Sequence, residues 1–171
     1  CYHPITYSNS YIFYRRGWSG VCIDPNPLHK SYWKKYRPKD HFVNTAITKN
    51  RSKAYYELNT LYPACNRLIF EKEKRSDYNY IKVPTTSLEI QLTQLNICHK
   101  KEINFVSIDC EGYDLEAIKT LNLEKFKSQV ILIEDCELSD ESEISNYMRA
   151  NNYELNSCCF HSKIFVTSTF S

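Results

Sequence analysis

Ile103 to Leu121 reads INFVSIDCEGYDLEAIKTL, and the rest of the chain is organised around it. Asn104 to Ile108 has the length and β-branched content of a strand buried on both faces, whereas Tyr113 to Leu121 repeats its apolar residues at helical spacing. The two meet at Asp109, Glu111 and Gly112. In an open α/β sheet, ligands sit in the crevice beyond the carboxyl ends of the strands. Two carboxylates there are poorly placed for structure alone and well placed for chemistry. One of them has a plain structural use, because Asp109 or Glu111 can cap the following helix through its first-turn amides.

The same alternation runs through the chain. Trp18 to Asp24, Phe42 to Ile47, Ala54 to Leu58, Tyr80 to Val83 and Val130 to Ile133 are short apolar runs predicted as strands. Helices are predicted at Ser10 to Arg16, at Leu28 to Tyr36 and after Thr86, which forms a capping box with Glu89 ahead of Leu88, Ile90, Leu92 and Leu95. Ser139 or Asp140 opens another, running through Tyr147 and Met148 and closed by Asn151 and Asn152. Tyr153 to Cys159 and Lys163 to Thr167 read as a terminal antiparallel pair. Asn59 to Asp77, with Pro63 and the run EKEKRSD, reads as a surface excursion, a substrate-facing lid or a tolerated insertion. Together these predict one doubly wound α/β domain over residues 1–171 with a largely parallel sheet. Three strands end in acid, at Asp24, at Asp109 and at Glu134 with Asp135; parallel strands would set these along one rim. The first visible strand has only a helix and a loop before it, which predicts a further strand preceding Cys1.

Composition narrows the function. With 171 residues, 42% hydrophobic and 25% charged, the chain has the make-up of a soluble globular domain. No apolar run approaches the roughly 20 residues of a membrane span, and the N-terminus lacks the pattern of a signal peptide. The net charge of +2 argues against a dedicated nucleic-acid binder. His29 to Lys39 interleaves cations with aromatics and could grip a single strand. The plainer reading is the outer face of a helix whose long side chains lie over aromatic rings. Eight cysteines without a CxxC pair fit reduced thiols in a cytoplasmic protein, with Cys22 and Cys110 as small hydrophobes. Cys158, Cys159 and His161 lack the second half of a zinc motif.

An acid at the end of a strand in a nucleotide-binding α/β fold can accept hydrogen bonds from both ribose hydroxyls, which points to Asp24. Neither GxGxxG nor GxxxxGK occurs in a chain with three glycines, so an adenosine cofactor without phosphates fits better. The runs SNSYIFYRRGWSGVCIDPNP, FVNTAI, VSIDCEGYDLEAIKTLNLEKF and VILIED resemble, in order, the FkbM family of S-adenosylmethionine-dependent methyltransferases. The resemblance spans about Cys1 to Tyr153. It implies a Rossmann-like methyltransferase fold ending in an antiparallel strand, and methyl transfer to a hydroxyl of a sugar, glycan or polyketide-type acceptor.

By that resemblance Asp24, with Pro25 beside it, is similar to the ribose-binding acid, and Asn44, Thr45 and Ala46 fall where adenine would lie. Asp109, Glu111 and Gly112 match the acidic block beside the reaction centre, and Cys1 to Pro4 look like the tail of the first cofactor loop, which puts His3 near the sulfonium. The acceptor hydroxyl must lose a proton, so Asp109, Glu111 and His3 are the candidate bases. His3 also stands before a proline, where it could simply shape the turn. A magnesium ion held by Asp109 with Glu134 or Asp135 is the alternative route to the same deprotonation. The competing function is a methyltransferase-like scaffold that has lost catalysis.

Overall fold

A computed structural model describes residues 2–49, 54–58, 65–70, 79–97, 103–137 and 139–168. The chain is an α/β protein whose contacts form two compact units, Cys1–Thr86 and Ser87–Ser171. Most of the excursion expected at Asn59 to Asp77 lies outside the described residues. Within it, Leu68–Phe70 is a strand.

In the first unit, α1 (Tyr11–Arg15) leads into β1 (Val21–Ile23), α2 (His29–Tyr36) and β2 (His41–Val43). β1 and β2 pair in parallel, with Cys22 opposite Phe42, so α2 is the crossover of a βαβ unit. His29 and Trp33, one helical turn apart, are its buried residues, and Trp33 stacks on Phe42 at 5.9 Å between ring centroids. The basic aromatic stretch is thus a helix whose inner face carries Trp33, while Lys30, Lys34 and Lys35 are exposed. Arg37, 4% exposed, ties the unit together: Nε donates to Asp40 at 2.6 Å and Nη1 to Ser10 at 2.9 Å. Its guanidinium lies 4.6 Å from the Trp33 ring and 5.0 Å from that of Tyr14.

The expected strand Phe42 to Ile47 is broken. β3 (Ala46–Ile47) leaves β2 at Asn44 and Thr45 and pairs instead with β7 (Thr85–Thr86). Asn44 donates from its amide to the Asp24 carbonyl, and Thr45 donates its hydroxyl to the Pro84 carbonyl. These side-chain bonds compete with the ladder and end it. β4 (Ala54–Leu58) lies between β5 (Leu68–Phe70) and β6 (Asn79–Val83), antiparallel to both. Among the described residues the strands therefore form four small sheets, two parallel, one antiparallel and one mixed, where one largely parallel sheet was expected.

The second unit begins with α3 (Leu88–Gln94). Ser87 caps it, accepting from the Ile90 N–H at 3.2 Å, in place of the Thr86 box predicted from sequence. The unit then builds a four-stranded sheet in the order β10, β11, β9, β8 from β8 (Ile103–Ile108), β9 (Ser128–Glu134), β10 (Tyr153–Cys159) and β11 (Ser162–Thr167). β8 and β9 are parallel, and the last two strands form the expected antiparallel hairpin. α4 (Asp114–Lys119) connects β8 to β9, and α5 (Glu143–Ala150) connects β9 to β10. Ile131 and Ile133 of β9, Ile118 of α4, Met148 of α5 and Phe165 of β11 are fully buried, each stabilising the core by ~1.5–3 kcal/mol. Tyr153 fastens the other end of β9, donating to the Ser128 carbonyl at 2.8 Å and accepting from its N–H at 3.2 Å. β8 is not buried on both faces as its composition predicts: only Ile108 is buried. β8 stands at the sheet edge, with β9 alone as its described partner.

Candidate active site

The loop from Asp109 to Asp114 owes its shape to a residue sequence reasoning passed over. Asp114, 4% exposed in the first turn of α4, accepts the Cys110 N–H at 2.7 Å through Oδ1 and the Gly112 N–H at 3.1 Å through Oδ2. The backbone turns left-handed at Glu111 (φ 52°) and Gly112 (φ 94°), which folds the loop back over that carboxylate. Among the described residues no side chain caps α4, so neither Asp109 nor Glu111 takes the capping role expected of one of them; Asp114 instead ties down the loop ahead of the helix. Asp109 is exposed and Glu111 part-buried.

Strand register supplies the second half of the cluster. Ile108 of β8 lies opposite Ile133 of β9, so one step further the parallel strands bring Asp109 beside Glu134. Partial burial pushes the Glu134 carboxyl up to about 7. The negative charges of Asp109, Asp114 and Glu111 add to the effect, as does a hydrogen bond that the protonated group makes to Asp109. Burial, then Asp109 and Asp114, also raises Glu111. Burial raises Asp114, against the pull of its two amide hydrogen bonds. The result is two carboxyl groups at the ends of two parallel strands, of which Glu134 is the one pushed towards neutrality by burial and its acidic neighbours.

Asp135 does not join this pair. The side chains of β9 alternate, so Asp135 shares a face with Ile131 and Ile133, opposite to Glu134. Burial disfavours its charge, but hydrogen bonds from Lys163, Ser142 and the Glu137 N–H, with the Lys163 charge, hold its carboxyl below the usual range. Lys163 approaches to 2.8 Å and the Ser142 hydroxyl to 2.5 Å. This corrects the expectation that Asp135 could help to hold magnesium, since its oxygens are already committed. Among the described residues no group of three or more His, Cys, Asp or Glu side chains is placed to hold a metal ion.

The remaining sequence-predicted residues belong to the first unit. Asp24 follows β1 and is 3% exposed; its Oδ1 accepts the Asn26 N–H at 2.7 Å and lies 3.3 Å from His29 Nδ1. Pro25 is part-buried beside it, and Thr45 and Ala46 are buried. His3 Nδ1 accepts the Ile5 and Thr6 N–H groups at 3.2 and 3.0 Å, so Nε2 carries the proton and the imidazole shapes the turn around Pro4. The His3 ring also lies 5.5 and 5.9 Å from those of Tyr32 and Tyr36. A carboxylate at the end of a parallel strand has the chemistry to hold a ribose. At 3% exposure, Asp24 must first be released by the Asn26 to His29 segment.

A strand that ends in acid is readable from sequence; the face each acid takes needs the register. Lys163, Ser142 and Ser145 carry no motif, yet all three meet Asp135 or one another in the interior. No curated protein and no solved structure matches the chain. The model of the Methyltransferase FkbM domain does match, over residues 2–155, and includes every site residue described above except Lys163. By that match the chain belongs to the FkbM methyltransferase family.

Proposed function

We propose that this chain is an S-adenosylmethionine-dependent O-methyltransferase with a Rossmann-like fold, acting on a hydroxyl of a sugar, glycan or polyketide-type acceptor. The observation that carries this reading is the Asp109 and Glu134 pair, with the Glu134 carboxyl poised at about 7. A methyl donor of this kind supplies an already activated carbon. What the protein must add is alignment, exclusion of water and a place for the hydroxyl proton. Asp109 is the exposed member and meets the acceptor; Glu134 takes part in holding the proton, and Glu111 adds negative charge beside them. Asp24 would hold the ribose and Asn44 to Ala46 the adenine, while His3 keeps the preceding loop in shape.

Calorimetric titration with S-adenosylmethionine, followed by transfer of a labelled methyl group to a panel of sugar and polyketide hydroxyls, tests the reading. The protein should bind the cofactor and Asp24→Asn should not, whereas Asp109→Asn should bind it and transfer about 10²–10⁴-fold more slowly. The burial of Asp24 favours a second reading, a scaffold that no longer binds cofactor. Absence of heat with the unaltered protein would establish that second reading and overturn the first.

A further inference from the structure

The carboxyl end of β9 presents two adjacent acids to opposite faces, and on the face away from Asp109 it is pinned by a buried cation. Lys163 of β11 is 2% exposed. Its ammonium donates to Asp135 Oδ2 at 2.8 Å, to the Ser139 carbonyl at 2.6 Å, to Ser142 Oγ at 3.0 Å and to Ser145 Oγ at 3.2 Å. Those partners come from the end of β9, the loop that follows it and the start of α5. Ser142 is also the cap of α5, accepting the Ser145 N–H at 3.1 Å. One side chain thus joins a strand end, a loop and a helix start.

We infer that Lys163 is a positioning residue: by clamping Asp135 against the start of α5 it fixes the neighbouring Glu134 within reach of Asp109. This deepens the function proposed above and rests on it. The ladder between β8 and β9 ends at Ile108 and Ile133. Beyond that point the main chain of β9, among the described residues, pairs with β11: Ser162 pairs with Glu134, and the Asp135 N–H donates to the His161 carbonyl at 2.6 Å. Without a grip on the adjacent residue the end of the strand can twist, and Glu134 turns with it. A buried ion pair is a poor source of net stability, since apolar side chains of the same volume often do as well. What it supplies here is direction, because four acceptors surround one ammonium.

The test is a ¹³C-carboxyl NMR titration of Glu134, assigned with Glu134→Gln, in the unaltered protein and in two variants. Lys163→Met removes the clamp but strands a buried carboxylate and can unfold the chain. The double variant Asp135→Asn/Lys163→Met removes both charges together and is the deciding one. Glu134 faces Asp109, Asp114 and Glu111, and Lys163 faces Asp135. If position is what Lys163 supplies, the Glu134 midpoint falls in both folded variants by about one pH unit or more, as the carboxyl separates from its acidic neighbours. If Lys163 acts on Glu134 through charge alone, Lys163→Met raises the midpoint instead. If the clamp only fills space, the double variant leaves the midpoint where it was. Either of the last two results overturns the inference. Calorimetry with S-adenosylmethionine on the same samples separates the two ideas: no heat from the unaltered protein refutes the cofactor reading, whereas the midpoint reports on the clamp whether or not cofactor binds.

Discussion

Replacing Glu134 with glutamine should make the protein less sensitive to alkali. The carboxyl of Glu134 is raised in the folded state from its ordinary 4.5 to about 7. A raised acid contributes stability that is complete below its unfolded value and is lost as pH climbs through the folded one, so the window runs from about 4.5 to somewhat above 7. At 1.36 kcal/mol per pH unit the full effect would be roughly 3.4 kcal/mol. The side chain is only part-buried and solvent screens its neighbours, which brings the expected value to ~1–2 kcal/mol. Glu134→Gln carries no ionisable group and escapes this loss. Urea unfolding of both proteins at pH 5 and at pH 8.5 gives the quantity directly, as the change in their stability difference between the two conditions. The variant should gain ~1–2 kcal/mol on the unaltered protein as pH rises. A difference that stays constant, or moves in favour of the unaltered protein, would refute the placement of Glu134 among Asp109, Asp114 and Glu111.

Asp114→Ala should remove two hydrogen bonds to a buried carboxylate and cost ~3 kcal/mol or more, with amide exchange at Cys110 and Gly112 accelerating well beyond the global change; unaltered exchange there would show that the loop is held by something else. Tyr153→Phe leaves the buried Ser128 N–H and carbonyl short of a partner and should cost ~1–3 kcal/mol, read as a drop in Tm of ~2–4 °C per kcal/mol. Burial pushes the Cys22 thiol up to about 12, so iodoacetamide at pH 8 should label Cys158 and Cys159 in the folded protein and reach Cys22 only after unfolding, as peptide mapping would show.

Sequence patterning located most elements because their signals are local. The β-branched run ahead of Asp109, the apolar repeat of α4 and the alternating hairpin at the C-terminus each state their own conformation. Burial was less legible. Asn104 to Ile108 looks like a strand enclosed on both faces, but enclosure depends on neighbours, and β8 has one described partner. Helix caps moved by one to three residues for a related reason: Thr86, Ser87, Ser139 and Ser142 all have the right chemistry, and only the backbone path decides which oxygen meets a free N–H. At the candidate site, Asp109 and Glu111 announced themselves by their position at a strand end. Asp114 did not, because an acid in the first turn of a helix is ordinary. Asp135 and Glu134 are consecutive letters with opposite fates, which only the pleat and the location of Lys163 distinguish.

The left-handed backbone at Glu111 disfavours any residue bearing a β-carbon by ~1–2 kcal/mol relative to glycine, and the loop already has a glycine at the next position. Random drift judged by folding alone would therefore favour a second glycine there, and Glu111→Gly should melt at a higher temperature than the unaltered chain. An acid that persists at this turn in independently diverged sequences would mark selection for negative charge against the preference of the main chain.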